Sequence, residues 1–176
     1  MNIPQRECIL VNLLNACHDL QGSPVFNRSL WVCSDGIVRN IVEEGARACA
    51  IAMSRLLIWF APKQGRFVKT CHASVIGLER DFPDCAWERI ELLEGEKPIP
   101  GDILVWAVWE GTEHIGIMYD ESQAISTFPR CGLRLHTWNM RADERAIRKV
   151  LRVWRHPHLA EEGRELLRIA AQLRSL

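Results

Sequence analysis

Between Ile3 and Leu20 the apolar residues Ile9, Leu10, Leu13, Leu14, Cys17 and Leu20 recur at three- and four-residue steps, which predicts one amphipathic helix ended by Gly22-Ser23-Pro24. A second helix is predicted over Ala46–Phe60, with Ala50, Met53, Leu56, Leu57 and Phe60 on one side and Pro62 beyond its end. A third is predicted over Lys69–Phe82, and residues 25–42 read as irregular, with Trp31-Val32-Cys33 extended and Asp35-Gly36 a turn. After Pro100 the periodicity changes from helical to β. Ile103–Trp109 and His114–Tyr119 flank the turn Glu110-Gly111-Thr112 as a hairpin. Further strands are predicted at Gln123–Thr127, Leu133–Trp138 and Val150–Trp154, and a closing helix over Leu159–Leu173. Helices first and antiparallel strands second make an α+β domain.

The 176 residues predict a single domain spanning 1–176, with no internal repeat and no linker. Twenty-two basic residues balance twenty-two acidic ones. The field that gathers polynucleotides is therefore missing, and no nucleic-acid partner is expected. No apolar run is long enough for an integral membrane segment. The basic residues Arg145, Arg148, Lys149, Arg152 and Arg155 read as a solvated face, with binding of an acidic stem peptide as the alternative.

Seven cysteines, an odd number without a C-x-x-C pair, suit reduced thiols. Cys71-His72 and His156-Pro-His158 stand too far apart in sequence to suggest zinc, so no metal and no cofactor are expected. Leu14-Asn15-Ala16-Cys17 has the outline of a lipoprotein processing site, but the apolar run before it is short and Asn15 interrupts it, so the segment reads as helix. With no credible signal peptide, the chain is expected to be cytoplasmic as synthesised.

Cys49 falls in the first turns of the second helix, where free backbone N–H groups and the helix dipole favour a thiolate. His114 opens a strand and is the candidate imidazole, and Gly116 on the same strand face would let the helix and its sulfur come close. Taken alone, a helical cysteine reads as a small core hydrophobe. Cys33, in Cys33-Ser34-Asp35-Gly36, is a rival nucleophile that precedes no clear helix. Trp31, Trp106 and Trp109 read as core residues, with lining of the site as the alternative for Trp31 and of a substrate groove for the other two.

The order Cys49-Ala50-x-x-Met53-Ser54-x-Leu56-Leu57, Pro100-Gly101-Asp102-Ile103-Leu104-Val105-Trp106 and Glu113-His114-Ile115-Gly116-Ile117 resembles the NlpC/P60 family of papain-like cysteine peptidases and amidases over about residues 44–138. The resemblance implies a papain-like NlpC/P60 fold with helices packed on a small antiparallel sheet. Its core would span about 44–155, with helices 3–20 and 159–173 packed on it. It also implies hydrolysis of an amide or isopeptide bond, plausibly in peptidoglycan stem peptides. Cys49 would be the nucleophile, His114 the base, and the Cys49 N–H part of the oxyanion site.

The family's third polar residue, usually His, Asn or Gln, aligns with Ser126. Thr127 lies one step on, and His136 is a rival on the following strand. Ala48-Cys49-Ala50-Ile51 stands where the family often reads Asp-Cys-Ser-Gly, and no Tyr precedes Cys49. The alternative is the same fold as a catalytically degenerate binding or interaction module. A wall hydrolase without a signal peptide implies delivery by another route, as a phage lysis protein or a secreted effector, or else recycling in the cytosol. These motifs specify neither the scissile bond nor the oligomeric state.

Overall fold

The computed structural model describes residues 8–26, 28–32, 34–42, 48–63, 65–107, 113–139 and 149–175. It is a mixed α+β arrangement of helices α1 (Ile9–Asp19), α2 (Ala48–Trp59), α3 (Val75–Asp81) and α4 (Pro157–Arg174) with two antiparallel sheets. The smaller sheet pairs β1 (Leu30–Val32) with β2 (Val38–Asn40), a hairpin in a stretch whose pattern reads as irregular. The larger sheet contains β3 (Glu88–Ile90), β4 (Ile103–Ala107), β5 (Glu113–Met118), β6 (Gln123–Phe128), β7 (Gly132–Thr137) and β8 (Val150–Arg155). Its spatial order is β3-β8-β4-β5-β6-β7. The strands after Pro100 therefore form at the predicted places, and β3 is an addition. The Glu110-Gly111-Thr112 turn, Cys33, Trp109, Arg145 and Arg148 lie outside the described residues.

Two apolar layers follow from the period-two alternation of the strands. On one face Ile103, Val105, Ile115, Ile117, Ile125 and Leu133 pack against α1, α2 and α4. On the other, Leu104, Trp106, Met118, Ala124 and Val153 gather Phe128, Trp138 and Val150. Leu10, Leu13 and Cys17 form the buried stripe of α1, and burial pushes the Cys17 thiol up to about 12. The Leu14-Asn15-Ala16-Cys17 segment is thus core helix.

α3 begins six residues later than the pattern predicts. Ser74 caps it by accepting from Gly77 N–H at 3.1 Å. Before that, the backbone is drawn onto the side chain of Asp81, which accepts from Lys69 N–H at 2.7 Å and lies 2.8 Å from His72 Nε2. These bonds to one side chain hold Lys69, Thr70 and His72 in a non-helical path.

The Pro100-Gly101-Asp102 turn ties the sheet to two helices. Gly101 has φ +92°, and a Cβ there would sit 3.1 Å from Leu10 and 3.2 Å from Leu159. Asp102, only 1% exposed, accepts from Ile99 N–H at 2.9 Å and receives the Arg155 guanidinium as a fork at 2.8 and 2.7 Å. Gly163 brings α4 onto the same turn, because a Cβ there would overlap the Pro100 carbonyl oxygen. Two members of the basic stretch depart from a solvated face: Arg155 is bound to Asp102, and Arg152 to Glu79 and Glu113, while Lys149 is exposed.

Two tests follow from this packing. Helix propensity favours Ala over Gly by about 1 kcal/mol, yet Gly163→Ala is expected to lower the urea unfolding free energy by about 2 kcal/mol, because the overlap with Pro100 forces α4 off the turn. The second concerns His156, packed against Phe67 and Trp87 at ring separations of 4.8 and 5.3 Å. Burial, with the neighbouring His158 acting in the same direction, pushes its imidazole down to about 4. The folded state thus favours the neutral ring. Its contribution is complete above an unfolded pKa of about 6.5 and is lost as pH falls toward 4. His156→Asn keeps an acceptor at the start of α4 but cannot titrate. Between pH 7 and 4 its urea midpoint should fall less than that of the wild type.

Candidate active site

Cys49 is the second residue of α2 and lies in the apolar layer between that helix and the sheet. α2 is apolar on most sides, with Ala48 to Ser54 and Leu56-Leu57 all buried, so it runs through the core and not over the surface. Ser54, fully buried, donates to Ala50 O at 2.7 Å and accepts from His72 N–H at 3.1 Å, which fastens the 69–74 segment to α2.

The sulfur meets the sheet where β5 leaves β6. Their pairing runs from Met118↔Ala124 to Gly116↔Ser126 and goes no further toward His114. At the other edge of β5, Gly101 N–H donates to Met118 O and Met118 N–H to Asp102 O, at 3.0 and 2.8 Å. The alternation of an antiparallel ladder then turns the N–H groups of Gly116 and His114 toward β4 and that of Ile115 into the gap beside β6. The N–H groups of Ile115, Ala50 and Cys49 lie near enough to the Cys49 sulfur to favour its charged form.

Burial is the larger influence and pushes the Cys49 thiol up; the three N–H groups pull it down only in part. This corrects the expectation of a resting thiolate made by the helix start. With its residue only 8% exposed, the sulfur loses more hydration than the helix N–H groups return.

His114 sits across from Trp106 in the β4–β5 register, and its ring lies 5.8 Å from the Trp106 ring and 6.3 Å from that of Phe128. Gly116 shares this face. A Cβ on it would overlap the Ile125 carbonyl and stand 2.8 Å from Ser126 Cβ and 3.1 Å from Trp106 Cη2. The missing side chain therefore admits Trp106 and Ser126 from the face away from α2. It does not admit the helix, which corrects the role expected for Gly116. Cys49 lies beside the amide of Ile115, the residue after His114, and no hydrogen bond joins its sulfur to the His114 ring, which lies on the other face of the sheet.

Ser126 is fully buried across from Gly116, and its Oγ lies 2.8 Å from His136 Nε2. The two candidates for the third polar position are thus partners of each other. Thr127 pairs with Leu133 and alternates onto the α2 face. Trp106 is wholly buried, with its Nε1–H donating to Trp138 O at 2.8 Å, so it is a wall of the cluster and no open groove lining. Half-buried Trp31 donates to Ser29 Oγ at 2.8 Å in the small hairpin.

Glu113, Arg152 and Glu79 form a half-buried charge network beside the site that sequence reasoning does not single out. Arg152 donates to both Glu79 oxygens at 2.7 Å and pairs with Glu113 at 2.6 Å, and Trp154 Nε1–H donates to Glu79 at 2.6 Å. The one available signal is Glu113 preceding His114, since the partner comes from a strand paired only in three dimensions. Among the described residues no group of three His, Cys, Asp or Glu could hold a metal ion.

The raised thiol has a measurable consequence. At pH 7 iodoacetamide should label exposed Cys8 well before Cys49, and Cys49 labelling should climb steeply only as the pH becomes alkaline. Mass spectrometry of the labelled peptides reads both; Cys49 reacting first at pH 6 would contradict the burial effect. No protein-family model matches the chain, and no curated protein matches it.

Proposed function

We propose that this protein is a cysteine hydrolase of NlpC/P60 type with a papain-like fold, cleaving an amide or isopeptide bond in peptidoglycan stem peptides. The observation that carries this reading is the placing of Cys49 sulfur near the N–H of Ile115, the residue that follows His114, at the point where β5 separates from β6. A helix start and a strand start converge there, bearing the residue types that acyl transfer requires.

In this mechanism Cys49 sulfur attacks the amide carbonyl carbon while His114 takes the thiol proton. The carbonyl oxygen becomes an oxyanion to which the Cys49 N–H donates. His114 then returns the proton to the leaving amine, and water, deprotonated by the same imidazole, hydrolyses the thioester and restores the thiol. Because burial holds the resting thiol protonated, the transfer to His114 accompanies attack and does not precede it. This favours a site that is quiet toward general electrophiles until substrate is seated.

Among the described residues no helix is long and apolar enough to cross a membrane. We infer cytoplasmic synthesis followed by delivery to the wall through another protein's route. The burial of Cys49 favours a second reading, a binding module on the same scaffold, in which the sulfur is core and not nucleophile.

Soluble muropeptides incubated with the protein and followed by liquid chromatography and mass spectrometry separate the two. The wild type is expected to release a new amine and carboxylate pair, and Cys49→Ala and His114→Ala each to lower the rate at least a hundredfold while retaining the native circular dichroism spectrum. Targeting the wild type to the periplasm should lyse cells, with the cytoplasmic form harmless. Cleavage or lysis that survives Cys49→Ala removes the hydrolase reading. Muropeptide binding without cleavage supports the module.

A further inference from the structure

We propose that Gln21 is an edge guard: its main chain and side chain together occupy the outer edge of β7 and keep the larger sheet from adding a strand of a second copy of this protein. Among the described residues β7 ends that sheet, with β6 on one side and no further strand on the other. An edge strand presents a row of N–H and C=O groups with which another chain can pair. In β7 the outward groups belong to alternate residues, as their partners show. Leu133 O accepts from Gly22 N–H at 3.1 Å, and Leu135 N–H donates to Gln21 Oε1 at 3.2 Å. The backbone of Gln21 also bridges to Gly132 and Leu133. Successive outward residues of a strand lie about 7 Å apart, a span that the Gln21 side chain covers by standing in for the carbonyl of a neighbouring strand.

The guard is held from both sides. At the end of α1, Leu20 N–H donates to Ala16 O at 3.0 Å, and Gln21 N–H to His18 O and Ser23 N–H to Leu20 O at 3.1 Å. Gly22 adopts φ +72° in this turn, which leads the chain off the helix and along β7. Facing it, Gly132 opens β7 without a side chain, and a Cβ there would stand 2.2 Å from the Ser23 carbonyl oxygen. The close approach of the 21–23 segment therefore requires glycine at 132, while the buried stripe of α1 anchors the segment to the core. The opposite edge is protected differently: β3 has three residues and exposes Glu88 and Arg89, and both shortness and charge discourage pairing. β7 has six residues, and Arg134 is its one permanently charged side chain, so this is the edge that calls for a cover. The guard operates whether or not Cys49 is a nucleophile.

Amide-resolved NMR hydrogen exchange and sedimentation velocity on the full chain test this. In Gln21→Ala the Leu135 amide should exchange at least about tenfold faster than in the wild type. In Gln21→Glu, whose carboxylate can still accept, that amide should keep its protection. Over a hundredfold concentration series, Gln21→Ala should gain a dimer that grows with concentration and that neither the wild type nor Gln21→Glu shows. Thr137 is exposed on the same strand, and Thr137→Lys added to Gln21→Ala should remove the new dimer by placing a charge on the opened edge. An unchanged Leu135 exchange rate in Gln21→Ala, or no added association at any concentration, would overturn the proposal. Association that Thr137→Lys leaves in place would overturn it as well, because it would come from another surface.

Discussion

The buried carboxylate of Asp102 is the constraint on which the rest of the structure rests. It sits in a turn whose backbone bonds β4 to β5, whose glycine lies against α1 and α4, and whose charge is met by a guanidinium from β8. A carboxylate with almost no contact with water is tolerable only when paired in good geometry, and losing one partner of such a pair typically costs about 3 to 5 kcal/mol. Three strands and two helices are thereby fixed relative to one another at one point. The start of β4 and the end of β5 are set there, and with them the register that brings His114 across from Trp106.

From that anchored end the hairpin runs toward a looser one. β5 and β6 share only a short ladder before they part, and α2 enters where an unpaired strand N–H would otherwise need a partner. The sulfur of Cys49 lies beside it. The arrangement joins the two faces of the sheet: the apolar layer under α2 on one side and the aromatic cluster of Trp106, His114, Phe128 and His136 on the other. In the proposed hydrolysis, Cys49 and His114, coming from opposite layers, would have to meet through this opening.

The charges are kept out of this passage. Arg152 is occupied by Glu79 and Glu113, and Arg155 by Asp102, so the basic residues near the sheet act as internal ties. Arg152 and Arg155 are thus held inside the protein by acidic partners and do not contribute to a basic surface.

The sequence alone determined the elements whose apolar pattern is strong: α1 and α4, where apolar positions recur with the helical period, and α2 and the hairpin after Pro100, whose continuous apolar runs are buried on most sides. It also placed Cys49 at a helix start and His114 at a strand start. Local pattern could not foresee the late beginning of α3, which depends on Asp81 capturing the backbone of Lys69, or β3, which is stabilised by its pairing with β8. Nor could it reveal that Gly116 makes room for Trp106, that Ser126 and His136 are bonded to each other, or that Cys49 is desolvated more than its helix start can offset. Those facts depend on which strands are neighbours and where their ladder ends. Residues far apart in the chain decide them, through contacts that carry no period.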